Sequence, residues 1–310
     1  MKTRAVVFAY SEVGVRCLEV LLAGQVEIPL VVTHDDDPNE TRWFASVAEL
    51  ARRYELPLHR AGLGGRPVAR RTRRDLAPDF IFSFYYRFLL GEEILRSARR
   101  GALNMHGSLL PKFRGRAPVN WALLHGATET GATMHYMVAR ADAGNIVDQQ
   151  SVPIGEDDDA LTVFRRVTDA AETVLARSLP KLIDGTAASI PQPILVGEYF
   201  GRRSPEDGRI DWSRSACDIH NLVRAVAPPY PGAFAHIRGE RWTITRTKVL
   251  AAEPADARQR ARLVAQNSDC VIECRDGGRL KLLAAQTASG PVNLAAVAIS
   301  LQSTAIDLER

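Results

Sequence analysis

Asn104, His106 and Asp142 are the residues of this sequence whose types and spacing could do chemistry. Asn104 and His106 stand two apart in the apolar stretch Leu103-Asn104-Met105-His106-Gly107. Side chains of an extended strand alternate with period 2, so both point to one face. An amide that can hold an oxyanion then sits beside an imidazole that can carry a proton. Asp142, in Arg140-Ala141-Asp142-Ala143-Gly144, could arrive from another strand end, orient that imidazole and support its charged form. Amide, imidazole and carboxylate together suit acyl or formyl transfer to an amine. Each residue also has a plainer reading alone. A single strand histidine can be a hydrogen-bonded core residue, and an Asp in a short turn commonly bonds its own backbone.

Between these residues runs Ser108–Trp121, a polar, basic loop that could present Arg114, Arg116 and backbone amides to an anion, or merely be solvated. It enters a helix near Pro118, a residue suited to a first turn. His125 and His135 read as structural. No H-x-x-x-H or H-E-x-x-H pattern occurs, so no metal site is expected.

The elements that must position these residues alternate. Strands are expected at Ala5–Ala9, Ile28–Thr33, Pro57–His59, Phe80–Tyr86 and Leu103–Gly107, with helices at Glu12–Ala23, Phe44–Arg53, Val68–Leu76 and Gly91–Arg99 between them. That order predicts an α/β fold with a doubly wound, mostly parallel, Rossmann-like sheet, which binds ligands at the C-terminal ends of its strands. No G-x-G-x-x-G follows the first strand, and Gly62-Leu63-Gly64-Gly65 reads as a loop, so no dinucleotide cofactor is expected. Strands at Met134–Ala139 and Ile146–Val152 should flank the Asp142 turn. Asp159 should cap a long helix striped by Leu161, Phe164, Val167, Ala171, Val174 and Leu175. A linker is expected over 186–198 and a helix over Ala216–Val226. Strands at Phe234–Ile237, Trp242–Lys248, Cys270–Cys274 and Leu280–Ala284, with a loop at Glu253–Arg262, predict a smaller C-terminal β-barrel, OB-like. The expected domains are 1–200, catalytic, and 201–310, barrel-like.

The 310 residues carry a net charge of +4, with arginine far outnumbering lysine. That excess suits anionic ligands such as phosphates but does not by itself mark a nucleic-acid binder. There is no apolar run of the roughly 18 residues a membrane span needs, and the N-terminal apolar stretch is too short for a signal peptide, so a cytoplasmic protein is expected. The four cysteines lack zinc spacing, and Cys270 and Cys274 read as buried thiols.

Asn104-x-His106, Ser108-Leu109-Leu110-Pro111, Arg114-Gly115-x-Ala117-Pro118, Thr130-Gly131-Ala132-Thr133 and Asp142-Ala143-Gly144, in this order, resemble the 10-formyltetrahydrofolate-dependent formyltransferases. More closely, Phe82-Ser83-Phe84-Tyr85-Tyr86-Arg87, Lys112–Pro118, Arg140–Gly144 and Phe200-Gly201-Arg202-Arg203-Ser204-Pro205 are similar to the sugar-nucleotide branch. The likeness there is to the formyltransferase part of the bifunctional UDP-4-amino-4-deoxy-L-arabinose enzyme of polymyxin resistance and lipid A modification. It weakens after residue 250, and the sequence stops where that enzyme's decarboxylase part would begin. Only formyl transfer is therefore implied.

The resemblance makes Asn104 the oxyanion donor, His106 the general acid/base and Asp142 the support of its charged form. It places the cosubstrate 10-formyltetrahydrofolate against Phe88, Leu89, Leu90, Arg116 and Val138-Ala139-Arg140-Ala141-Asp142. Phe88 stands where the nearest relatives carry His, a change that a backbone contact survives and an imidazole contact does not. The acceptor is expected to be a nucleotide sugar. Its diphosphate is expected on Arg203, with Arg202 and Arg114 as lesser candidates, where the two domains should meet. The alternatives are methionyl-tRNA formyltransferase and a catalytically silent nucleotide-sugar binder. Asp35-Asp36-Asp37, where the tRNA enzymes carry a longer basic insertion, would repel RNA phosphates. No nucleic-acid partner is expected, and the oligomeric state is left open.

Overall fold

The computed structural model describes residues 2–36, 42–61, 76–193, 198–251, 260–302 and 304–308. The chain divides into two compact units, one of residues 1–118, 129–153 and 165–201, the other of 119–128, 154–164 and 202–310.

The first unit is built on β1 (Arg4–Ala9), β2 (Glu27–His34), β3 (Leu58–Ala61), β4 (Phe80–Phe84) and β5 (Gly101–His106). These pair in parallel in the order β3-β2-β1-β4-β5. Their apolar runs are continuous because a parallel sheet is covered on both faces: Val6, Val7, Phe8, Ile81, Phe82 and Leu103 are all fully buried. Beyond β5 the sheet changes sense. The short β6 (Arg114–Gly115) leaves it, then β7 (Glu129–Tyr136) and β8 (Ile146–Pro153) add in antiparallel pairing to complete seven strands. The result is the Rossmann-like, mostly parallel sheet read from the sequence.

Helices α1 (Ser11–Ala23), α2 (Val47–Arg53), α3 (Glu92–Leu95) and α4 (Pro118–Leu124) follow in chain order. Ser46 caps α2 through the Glu49 N–H, so this helix begins three residues later than predicted. The helix expected over Gly91–Arg99 is only the single turn of α3. The long α5 (Ala160–Asp184) is capped as expected, with the Asp159 carboxylate accepting from the Thr162 N–H at 2.8 Å. Leu161 is only partly buried, while Val163, Val167, Ala171, Val174 and Leu175 form the covered stripe. The basic helix expected at Val68–Leu76 and the Gly62–Gly65 loop lie outside the described residues, apart from Leu76.

Within the expected linker of 186–198, of which 194–197 lie outside the described residues, Ile190 bridges to Ile146; just after it, β9 (Tyr199–Phe200) pairs in parallel with β6. The second unit carries α6 (Ala216–Ala225), β10 (Ala233–Ile237), β11 (Glu240–Leu250), β12 (Ala261–Gln266), β13 (Asp269–Glu273), β14 (Arg279–Thr287), β15 (Gly290–Pro291), α7 (Leu294–Ser300) and β16 (Ile306–Leu308). Its sheet is antiparallel, in the order β10-β11-β14-β13-β12-β16 with β15 on β14, and is nearly closed into a barrel.

The loop expected at Glu253–Arg262 lies outside the described residues up to 259, and its last two residues belong to β12. That strand and α7 lack the turn and periodicity signals that marked their neighbours. Trp212, Ile219, Val223, Trp242, Ile244, Leu263, Ile272 and Leu280 fill the barrel core. Cys270 and Cys274 are buried within it, Cys17 is buried in the first unit, and Cys217 is exposed.

Two earlier stretches of chain belong to the second unit because polar groups of α6 hold them. His220 lies 2.9 Å from Thr247 Oγ1 through Nδ1 and donates from Nε2 to the Glu156 carbonyl at 3.0 Å. Arg224 donates to the Gly155 carbonyl at 3.1 Å, and Asn120 donates to the Ala225 carbonyl at 2.8 Å. Among the described residues no helix is long and apolar enough to cross a membrane.

Candidate active site

The site lies at the C-terminal end of β5, on the edge of an open α/β sheet where ligands bind. Asn104 and His106 share a face of that strand, as their spacing requires. His106 is 6% exposed. Its Nε2 is 2.9 Å from the Phe113 carbonyl, which only accepts, so Nε2 carries a proton. Nδ1 then faces Asp142 Oδ1 at 3.6 Å.

Asp142 does not spend its carboxylate on its own turn. Oδ1 lies between His106 and His135, 3.5 Å from His135 Nε2, and Oδ2 accepts from the Gly115 N–H at 2.9 Å. Burial alone would raise this carboxyl. The charge on His106, the bond and charge of His135 and the Gly115 N–H outweigh it and hold the group well below the usual carboxylate range. Asp142 is therefore ionised throughout the neutral range. Its share of the folding stability is present above its unfolded-state value of about 3.9 and is lost only as the pH falls well into acid.

His135 corrects the sequence reading, which took it as structural. β7 runs antiparallel to β5, and the register sets His135 directly across from Asn104. Its Nδ1 donates to the Tyr136 carbonyl at 2.9 Å, and its Nε2 lies 3.2 Å from Asn104 Nδ2 and 3.5 Å from Asp142 Oδ1. The Asn104 amide is thereby held between its own strand and the imidazole across the ladder. A register between two distant strands is the only signal for this contact, and it is absent from local sequence. His125 stays on α4, beside the Trp121 ring.

The flanking loop is braced by Thr133. Its hydroxyl donates to the Ser108 carbonyl at 2.6 Å and accepts from the Leu110 N–H at 3.1 Å and from Gln149 Nε2 at 2.8 Å. Gln192, inside the expected linker, donates to the Asp142 and Gly144 carbonyls and fixes the acidic turn from outside. A Cβ on Gly144 would stand 1.9 Å from the Tyr136 carbonyl oxygen, so only glycine lets that turn close.

Of the other residues singled out, Phe88 packs edge-on against His34 and Tyr86. Leu89 is 81% exposed and Leu90 partly buried. Val138, Ala139 and Arg140 are exposed, and Ala141 is half-buried. Arg116 is exposed and donates to the Arg87 carbonyl at 3.2 Å. Arg114 is buried, at 3% exposed, rather than displayed on the loop. Arg202 and Arg203 belong to the second unit. Arg202 is exposed, whereas the Arg203 guanidinium lies 5.0 Å over the Trp121 ring and donates to the Asp207 carbonyl at 2.9 Å. Among the described residues no group of His, Cys, Asp and Glu could hold a metal ion.

Gly115 concentrates these constraints. Its φ is +103°, and a Cβ there would meet the Phe200 carbonyl oxygen at 2.1 Å. Gly115→Ala should destabilise the fold by about 1–3 kcal/mol through backbone strain, read by urea unfolding. It should also pull the N–H away from Asp142. The Asp142 carboxyl, followed by 13C chemical shift, should then titrate at a higher pH than in the wild type. An unchanged titration would detach Gly115 from the site.

Comparison with known proteins agrees with this architecture. The family described as formyl transferase matches residues 4–179, more than half of the chain, and its C-terminal domain family matches 202–297. Solved structures share the fold at low identity. An N-formyltransferase from Helicobacter canadensis, in complex with folinic acid and dTDP-3-aminofucose, aligns at TM-score 0.71 and 19% identity, over 91% of this chain and 99% of that one. A 4-N formyltransferase from Francisella tularensis aligns at TM-score 0.62 and 17% identity, over 77% and 95%. HypX from Aquifex aeolicus, in complex with tetrahydrofolic acid, aligns at TM-score 0.60 and 17% identity over 100% of this chain, which spans only 51% of that longer protein. With its motifs in place on that fold, this chain belongs to the formyl transferase family.

Proposed function

We propose that the protein transfers a formyl group from 10-formyltetrahydrofolate to the 4-amine of a nucleotide-linked amino sugar, UDP-4-amino-4-deoxy-L-arabinose being the acceptor its motifs most resemble. The observation that carries the reading is the convergence of Asn104, His106 and Asp142, with Asp142 Oδ1 3.6 Å from His106 Nδ1. Structural neighbours in complex with folinic acid and a dTDP-amino sugar, or with tetrahydrofolic acid, support the two substrate classes.

The acceptor amine attacks the formyl carbon on N10 of the folate. The carbonyl oxygen gains charge, and the Asn104 amide donates to it. Such a donor is worth roughly 2.7–4 kcal/mol in an oxyanion hole. The attacking nitrogen must lose a proton and the departing N10 must gain one. His106 can hold that proton at Nδ1 while Asp142 balances its charge. Folate is assigned to Phe88, Leu89, Leu90, Arg116 and 138–142. Leu89 and Val138 supply exposed apolar surface there, and with a phenyl ring at Phe88 a backbone contact at that position would survive whereas an imidazole contact would not. The chemistry is assigned to residues 1–200 and anchoring of the acceptor to 201–310.

Arg203 is the proposed ligand of the acceptor's diphosphate. Burial lowers its basicity without removing its charge, and the Trp121 face preorients the guanidinium fork. Arg202 and the buried Arg114 are the lesser candidates.

The direct test is to offer UDP-4-amino-4-deoxy-L-arabinose, dTDP-3-amino sugars and methionyl-tRNA as acceptors and to follow formylated product. The arabinose nucleotide should give the highest kcat/KM, and preference for methionyl-tRNA would overturn the reading. His106→Ala should lower kcat by roughly 10²–10⁴ with folate affinity little changed. Near-wild-type turnover would remove His106 from the chemistry. In Asp142→Asn the charged ring loses its support, so the acid limb of the kcat–pH profile should move to lower pH. A limb that stays in place would count against Asp142. Arg203→Ala should raise KM for the sugar nucleotide and spare that for folate, with Arg203→Lys rescuing only in part.

A further inference from the structure

The barrel of the second unit is not fully closed, and its open seam is basic. β10 and β16 are the two edges of the sheet. The short stretch Arg209–Ile210 lies along β10, where the Ile210 N–H donates to the Phe234 carbonyl at 2.8 Å. Between these edges is a cavity of about 370 Å³. Arg209, His236 and Arg238 line it on the basic side, Ile210 and Ile306 form apolar wall, and Asp307 stands on the β16 side.

Among the described residues no carboxylate is ion-paired with Arg209, His236, Arg238 or Arg241, and the one carboxylate on the cavity wall, Asp307, is 3.9 Å from Arg260. Arg241 lies 3.7 Å and Arg209 5.9 Å from the same Phe234 ring centroid, so two guanidinium groups crowd one aromatic side chain. His236 is paired directly across the ladder from Arg241.

We propose that this seam is a second binding site, for a phosphate-bearing small molecule. The guanidinium forks of Arg209 and Arg238 take the phosphate, with His236 as a further donor. Ile210 and Ile306 cover the less polar part of the ligand, and Asp307 accepts from one of its hydroxyls. The volume lies within the range of small-molecule pockets. A concave cavity suits a compact anion better than a continuous nucleic-acid backbone, which needs an open basic track. None of these residues belongs to the set assigned to formyl transfer.

Pyrophosphate and UMP, titrated separately into the full chain, test this by calorimetry and by the arginine Nε–Hε resonances. At least one probe should saturate and perturb those resonances. Arg209→Ala/Arg238→Ala should weaken it at least about tenfold, since both removed donors are charge-assisted. Melting temperature and both KM values should stay as in the wild type. Arg238→Gln, a single exposed change, should weaken binding in the same direction. Arg203→Ala should leave the binding intact, which separates this site from any anion bound by the acceptor's anchor. Pyrophosphate binding as tightly as UMP assigns a simple phosphate ligand; tighter UMP assigns a ligand with an organic body. No saturable binding, or binding that survives both seam variants, overturns the proposal. So does preferential, strongly salt-dependent binding of an oligoribonucleotide, which would make the seam a nucleic-acid surface. Because the readout is binding, failure of formyl transfer with every acceptor would leave this result standing.

Discussion

One buried carboxylate holds the candidate site of this protein together. Asp142 is accessible to little solvent, and a buried charge costs several kcal/mol unless it is paired and hydrogen-bonded. Two imidazoles at 3.6 and 3.5 Å and a backbone N–H at 2.9 Å supply the compensation. Remove any of the three and the remaining groups face an under-solvated anion. Each comes from a different part of the chain: His106 from β5, His135 from β7 and Gly115 from β6. The turn that presents Asp142 is in turn fixed by Gln192. The left-handed backbone at Asp142, φ 53°, belongs to the same constraint, because Asp tolerates that region better than most residues.

The reversal of strand direction after β5 is what makes this possible. In a purely parallel sheet the neighbour of β5 would begin its ladder far from the ligand-binding edge. An antiparallel neighbour returns along the same edge, so the register brings His135 opposite Asn104 and Thr133 opposite His106. The cross-strand pair then does two things. His135 positions the amide of Asn104, and Thr133 ties down the loop that follows His106. The geometry of the candidate site is thus built from regular ladder pairings, which are stiffer than loop contacts.

Glycine placement completes the arrangement. Backbones approach each other closely at Gly115 and Phe200 and at Gly144 and Tyr136, where any side chain would collide with a carbonyl oxygen. The short β6–β9 pairing uses the first of these approaches and aims the Gly115 N–H at the carboxylate. In the second unit, the same need to pair buried polar groups recruits residues 119–128 and 154–164 to the barrel through Asn120, Glu156 and Gly155.

Much of this was legible in the amino-acid order. Continuous apolar runs separated by helical stripes fixed a parallel-rich sheet, since only strands covered on both faces read that way. Period-2 spacing put Asn104 and His106 on one face, and alternating β-prone stretches forecast the barrel. Local signals failed where the decisive contact was long-range. His135 looked structural because its partner lies across a ladder, and Gln192 looked like linker because its bonds are to carbonyls 48 and 50 residues away. The strand at Ala261–Gln266 was missed because its apolar alternation is short and only the neighbouring strands of the barrel stabilise it. Composition and spacing by themselves determined most of the element types, the fold class and which three residues are proposed for the chemistry. Which histidine steadies the amide, which N–H meets the carboxylate and how the barrel edges frame a basic seam were decided by tertiary structure alone, because register and burial depend on segments that are remote in sequence.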